Sequence, residues 1–199
     1  MGTATNVRRA VRDDIPGMSR TLARAFDDDP VMQWFLPDDE RRRKNLPTFM
    51  AALTRHSSLP HGHVYTTDGW LGAALWNPPG TWQTSLLGQI RLMPSMARAL
   101  VRRVVPVVKA FMTIEKHHPK EPHWYLLMLG TEPDQQSRGI GSALMAPVLE
   151  ICDREGVPAY LESSKEKNIP FYSRHGFEVT GELALPDGPT MWPMWRNPR

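Results

Sequence analysis

The stretch DQQSRGIGSALM, residues 134–145, sets Gly139 and Gly141 two apart beside Arg138, immediately ahead of a helical pattern. Ile140, Ala143, Leu144, Val148 and Ile151 recur at helical spacing and define one apolar face. The first-turn N–H groups of such a helix have no partner within it and point back along the axis. Two glycines let a ligand approach that main chain without a Cβ in the way. With Arg138 adding a full charge, the chemistry offered is the holding of an anion of the phosphate kind.

Two familiar phosphate loops do not fit. A P-loop needs Lys-Ser/Thr after its second glycine, and Gly141 is followed by Ser142-Ala143. A dinucleotide fingerprint needs Gly or Ala three residues after Gly141, where Leu144 stands. Glu162 does lie about 20 residues downstream, as a ribose-binding acid would. That arrangement belongs near the start of a βαβ unit, however, and here it follows most of the chain.

The elements that must position this loop can be read along the chain. NVRRAV reads as a first strand, and a helix from Asp14 places Ile15, Met18, Leu22, Ala25 and Phe26 on one face before FDDDP ends it. PDDERRRKNLPTFMAALTRH reads as a second helix, kinked or broken at Pro47, with Arg41, Arg42, Arg43 and Lys44 on a solvated face. HVYTT and GWLGAALWNPP read as antiparallel strands joined at Asp68-Gly69. Trp70, Trp76 and Trp82 are expected in core and hairpin packing, lining a substrate pocket being the alternative for one of them. Residues 82–118 read as mostly helical, broken near Pro94 and Pro106. HWYLLMLGT is an apolar strand covered on both faces. A helix over about 139–155, bent or restarted at Pro147, follows; then the strand PAYLE, a short helix near 167–174, the strand FEVTGEL and a last strand near TMWPMW. This order is α+β, or mixed α/β, in a single domain spanning 1–199.

Composition narrows the function. The 199 residues carry a net charge of +3, which mildly favours anionic ligands and is too weak to argue for nucleic acid. The lone cysteine, Cys152, excludes an intramolecular disulfide and reads as a core thiol in a reducing compartment. No apolar run approaches the ~20 residues of a membrane span, and MGTATNVRRAVRDD lacks the apolar core of a signal segment, so a cytoplasmic protein without membrane partners is expected.

At this point the motifs carry a resemblance. Gln136-Ser137-Arg138-Gly139-Ile140-Gly141 after HWYLLMLGTEP resembles the acetyl-CoA signature of the GNAT superfamily of N-acetyltransferases. NIPFYSRHGFEV resembles that superfamily's later block, and VRRAVRDDIPGMSRTLARAF its first strand and helix. More narrowly, HPKEPHWYL, GVPAYLESS and NIPFYSRHGF are similar to puromycin N-acetyltransferase and its relatives. The resemblance is closest over 118–199 and extends to 6–30.

The resemblance implies a central twisted mixed sheet, splayed at the acetyl-CoA strand and flanked by helices. Its acetyl-CoA-binding core would span about 118–199, and its substrate-pocket helices about 27–60 and 82–118. It implies acetyl-CoA as co-substrate, with the pyrophosphate on Gln136, Ser137, Arg138, Gly139, Ile140, Gly141 and Ser142. Pantetheine would run along Leu129, Gly130 and Thr131, where a bulge splays the strand, and Asn168 would touch the cofactor arm. Tyr172 matches the tyrosine placed near the sulfur. The family uses no metal, so His117, His118 and His123 are not expected to bind one.

Reference acidities frame the reaction that would follow. A lysine-like amine of pKa about 10.4 is neutral only to about 0.04% at pH 7, a deprotonation cost of roughly 4.6 kcal/mol. A base is therefore wanted, and Glu132 and Glu162 are the acidic candidates at strand ends. Tyr172 could give its proton to sulfur as the sulfur leaves, or hydrogen-bond it. Asp27, Asp28 and Asp29 occupy the superfamily's substrate loop and would attract a cationic amine; Asp29 stands where the puromycin enzyme carries an aromatic residue. The expectation is transfer of acetyl from acetyl-CoA to a primary amine of a small molecule, by direct attack in a ternary complex of a monomer or homodimer. A catalytically silent acyl-CoA-binding or regulatory domain of the same fold is the alternative.

Overall fold

The computed structural model describes residues 6–82 and 104–199. The strands are β1 (Val7–Arg9), β2 (Val64–Thr67), β3 (Gly72–Asn77), β4 (Trp124–Thr131), β5 (Ala159–Ser163), β6 (Glu178–Val179), β7 (Leu183–Ala184) and β8 (Thr190–Arg196). Their order across the sheet is β1-β2-β3-β4-β5-β8-β6, with β7 pairing β8 off that path. All pairings are antiparallel except β4 with β5. The Asp68-Gly69 hairpin joins β2 to β3, and Gly69 takes the left-handed φ of 74° that the turn requires.

Six α-helices accompany the sheet among the described residues: α1 (Ile15–Ala25), α2 (Pro30–Phe35), α3 (Asp39–Leu53), α4 (Val104–His117), α5 (Ile140–Glu155) and α6 (Ile169–Arg174). One core forms where Met18 and Leu22 of α1 meet Leu46 and Met50 of α3 and Leu75 of β3. The other forms where Leu144, Met145, Val148 and Cys152 of α5 meet Trp76, Trp124 and Leu161. The mixed sheet thus has apolar helix faces on both sides, as an all-apolar β4 demands. No helix among the described residues is long and apolar enough to cross a membrane.

Several local expectations are corrected. Helix α3 runs through Pro47 to Leu53 and ends in a wider turn over Thr54–Ser58, so the proline does not break it. Helix α5 likewise continues through Pro147 rather than restarting. Pro106 lies within α4, two residues after the first described residue of that helix; Pro94 and the remainder of 83–103 lie outside the described residues. FEVTGEL forms two short strands instead of one. Arg42 is buried, not solvated, and donates to Asp27 at 3.1 Å, Asp39 at 2.8 Å and the Leu36 carbonyl at 3.0 Å. Helix α2 has no counterpart in the sequence reading.

Candidate active site

Strands β4 and β5 pair only at Trp124/Ala159 and Tyr125/Tyr160 and then part. The antiparallel register between β3 and β4 slips so that Leu75 faces Met128 and Trp76 faces Leu126, leaving Leu127 as an extra, bulged residue on β4. The bulge therefore falls at Leu127, ahead of the Leu129–Thr131 stretch expected to hold it. Where the strands part, a cavity of about 570 Å3 opens, walled by β4 from Leu126 to Thr131, by the mouth of α5, by Leu161–Lys165 and by α6.

One end of the cavity is an N-terminal helix mouth. The loop turns through Ser137 at φ 62° and Gly139 at φ 81°, the latter a left-handed conformation that glycine adopts without strain. The first intrahelical bond of α5 runs from the Ala143 N–H to the Gly139 carbonyl at 3.0 Å. The N–H groups of Ile140, Gly141 and Ser142 are therefore left over at the cavity wall. Gln136, Ser137, Gly139, Ile140, Gly141 and Ser142 all line it, together with Leu129, Gly130, Thr131 and Asn168. Arg138 is exposed and outside the lining, so it can act on an anion there only at longer range.

The three aspartates separate. Asp29 is buried and caps α2, accepting from the Val31 N–H at 3.0 Å and the Met32 N–H at 3.1 Å. The Ser164 hydroxyl donates to its other oxygen. Burial pushes Asp29 above the usual carboxylate range in spite of these donors. Asp28 lines the cavity and pairs with Lys165 and, at 3.7 Å, with Lys167. Desolvation would raise Asp28, but the Lys165 hydrogen bond and the two lysine charges outweigh it and hold it low. Asp27 faces away, in an ion pair with Arg42 and Arg43, both at 3.1 Å.

Tyr172 lines the cavity, its ring edge-on to Phe171 at 5.1 Å and to Phe177 at 6.1 Å. Burial, then the nearby Asp29 charge, raises its hydroxyl above the ordinary phenol range. It keeps its proton at any physiological pH, as a proton donor must.

The two acidic candidates also part company. Glu132 accepts from Thr21 and from Arg24, whose Nε stands at 2.8 Å, and the Arg24 hydrogen bonds hold it below the usual carboxylate range. It is absent from the cavity wall and occupied by this ion pair. Glu162 lies in the wall, with the Tyr125 hydroxyl donating to Oε2 at 2.8 Å and His118 Nδ1 standing 3.4 Å from Oε1. Cys152, fully buried and pushed up to about 12 by burial, has no nucleophilic character.

Sequence reasoning missed Ser164, Lys165, Lys167, Phe171 and Arg174, all in the wall. A signal was present: open α/β sheets bind ligands beyond the carboxyl ends of parallel strands, and SSKEK follows β5 at such an end.

Comparison with known proteins agrees with this layout. Residues 68–177 match the model of the acetyltransferase (GNAT) family. An uncharacterised N-acetyltransferase of Schizosaccharomyces pombe is 28% identical over 188 residues, covering 89% of this chain and 76% of the yeast protein. The structure of a histone acetyltransferase HPA2 and related acetyltransferase from Corynebacterium glutamicum superimposes with a TM-score of 0.76 at 23% identity, over 99% of this chain and 98% of that one. A Drosophila melanogaster polyamine N-acetyltransferase that forms N-acetylagmatine superimposes with a TM-score of 0.64 at 14% identity, over 96% and 99% of the two chains. With the fold, the splayed strand pair and the family match in agreement, the chain belongs to the GNAT family of acetyltransferases.

Proposed function

We propose that this protein transfers acetyl from acetyl-CoA to a primary amine of a small cationic molecule, directly and without an acyl-enzyme. One observation carries the reading: a single cavity joins an unpartnered helix mouth to a wall bearing the carboxylates Glu162, Asp28 and Asp29 and the protonated Tyr172.

The fit to the co-substrate rests on the cradle. Three leftover N–H groups and the bare backbone at Gly139 and Gly141 suit a pyrophosphate, and Leu129–Thr131, unpaired to β5, suit an extended amide arm that hydrogen-bonds a strand edge. When bound, acetyl-CoA supplies the activated acetyl group. The rest of the chemistry falls to the chain. Asp28 and Glu162 draw a cation into the cavity, and Glu162 accepts a proton so that the nitrogen has a free lone pair. Tyr172 holds a proton on its hydroxyl for the departing sulfur. The narrower likeness to puromycin enzymes bears on the acceptor: Asp29 is committed to capping α2, so discrimination among amines falls to Asp28, Lys165 and Glu162. The buried, inert Cys152 accords with a reducing, cytoplasmic setting.

The test is acetyl transfer to a panel of amines, including agmatine, polyamines, arylalkylamines and aminonucleosides, with thiol release and product mass read together. Acetylated product from at least one primary amine is expected. Saturable acetyl-CoA binding with no transfer to any amine would instead make this a silent acyl-CoA-binding domain.

A further inference from the structure

Behind Glu162 lies a chain of buried polar groups that the reaction scheme above does not use. His118 and His123 are both nearly inaccessible, and their Nε2 atoms stand 3.0 Å apart. His123 Nδ1 is 2.6 Å from the Glu121 carbonyl. A carbonyl only accepts, so Nδ1 of His123 carries the hydrogen. A neutral His123 then has a bare Nε2, which accepts from the Nε2–H of His118. A neutral His118 in turn presents a bare Nδ1, and that atom faces Glu162 Oε1 at 3.4 Å. Neither Nδ1 nor Oε1 has another hydrogen-bond partner among the described residues.

Before the reaction the two buried acceptor atoms face each other with no hydrogen between them, and a proton taken from the substrate closes that contact. The surroundings suit the positive ring that results. Trp82 stacks on His118 with centroids 3.8 Å apart, and Tyr125 and Tyr160 present themselves edge-on, each at 4.9 Å. Among the described residues, the titratable groups facing His118 are Glu162 and Tyr160 of β5, Tyr125 of β4 and His123 ahead of β4. Burial and the Glu162 charge keep both tyrosines protonated, so neither competes for the proton.

We infer that His118, oriented by His123, is the positioning residue that draws the acceptor amine's proton through Glu162 and holds it during acetyl transfer. The inference rests on the proposed N-acetyltransferase reading. In the step, one N–H bond of the ammonium breaks and nitrogen keeps the electron pair. The proton passes to the Glu162 carboxylate and, from its Oε1 side, on to His118 Nδ1, where a new N–H bond forms. Glu162 is thereby returned to its carboxylate form beside a cationic ring, and the positive charge that entered with the substrate is conserved.

Two measurements decide it. The first needs no turnover: the histidine ring 15N resonances of the full-length protein, followed against pH in wild type and in Glu162→Gln. Neutral His123 should be the Nδ1–H form and neutral His118 the Nε2–H form, and Glu162→Gln should move the His118 titration. A neutral His118 carrying Nδ1–H, or a titration indifferent to Glu162→Gln, overturns the proposal. The second is the pH profile of acetyl transfer. His118→Asn should lower kcat at least about tenfold with KM little changed and displace the acidic limb of the profile, and His123→Gln should do the same more weakly. Folded variants, by circular dichroism, with the wild-type profile overturn it as well. Should wild type acetylate no amine, the acetyltransferase reading fails, and the ring resonances still decide whether His118 and Glu162 share a proton.

Discussion

The Ser164 hydroxyl donates to the carboxylate of Asp29 across 135 residues of sequence, so the loop after β5 is tied to the cap of α2. This tie joins two segments of the cavity wall through one buried acid. Asp29→Ala removes the cap and leaves the Val31 and Met32 N–H groups without their acceptor. A loss of about 0.5–2 kcal/mol in unfolding free energy is expected, read by denaturant titration. Asp29→Asn keeps a capping oxygen. Because burial raises the Asp29 carboxylate, its charge destabilises the fold at pH values above its folded-state titration. The Asn variant should therefore lose less than the Ala variant, and its deficit should be no larger at pH 8 than at pH 6. An Asn variant as unstable as the Ala variant contradicts the capping account.

Asp14 gives the opposite sign. Its carboxylate takes both Arg8 Nη atoms at 2.7 Å, the Val11 N–H at 2.9 Å and the Trp70 indole at 2.9 Å. The Arg8 hydrogen bonds, foremost, hold it far below the usual carboxylate range. A depressed folded-state acidity adds stability that is fully present above the unfolded value, about pH 4, and fades as the pH falls below it. Asp14→Asn should accordingly lower Tm at neutral pH, and the gap to wild type should narrow progressively as the pH falls below about 4. A gap constant with pH would show that shape, not charge, matters at this position.

Gly139 separates folding from co-substrate binding. A side chain at the left-handed φ of 81° is strained, though Asp is among the residues that visit this region, so Gly139→Asp should fold with a modestly lowered Tm. Its charge would stand at the helix mouth that is proposed to hold pyrophosphate. Calorimetry should show acetyl-CoA affinity weakened at least about tenfold, about 1.4 kcal/mol. Unchanged affinity would remove the phosphate role from this loop.

Tyr172→Phe keeps the ring contacts with Phe171 and Phe177 and deletes the hydroxyl. General-acid contributions are typically about 10²–10⁴-fold, so kcat should fall by at least roughly tenfold while the acetyl-CoA Kd holds. The measurement requires an amine for which acetyl transfer, not product release, limits the rate. Full kcat in the variant would leave Tyr172 as a packing residue.

How much of this was legible depended on range along the chain. The helix mouth at Gly139 and the apolar β4 are written in contiguous residues, and both were readable. Helix α2 was not: its six residues are less than two turns, too few for periodicity to register, and only the Asp29 cap and Pro30 mark it. Glu132 and Glu162 are alike in sequence, each an acid at a strand end. They differ because α1 delivers Thr21 and Arg24 to the first, while β5 turns the second towards Tyr125 and His118. FEVTGEL breaks in two where Thr180 donates its N–H to the Pro193 carbonyl at 2.9 Å, beside a β8 residue with no N–H to return. Such facts lie in the partner strand, which a local reading does not see.

The two ladder pairs that join β4 to β5 have a mechanical meaning. On one side stand the strands β1 to β4, on the other β5 to β8, and the seam between them is fastened at one end like a peg. A molecule lying along the open length becomes a strut, replacing by its own contacts the cross-strand bonds that the sheet forgoes. Occupancy and rigidity would then be one variable: the loaded protein would be the stiffer one.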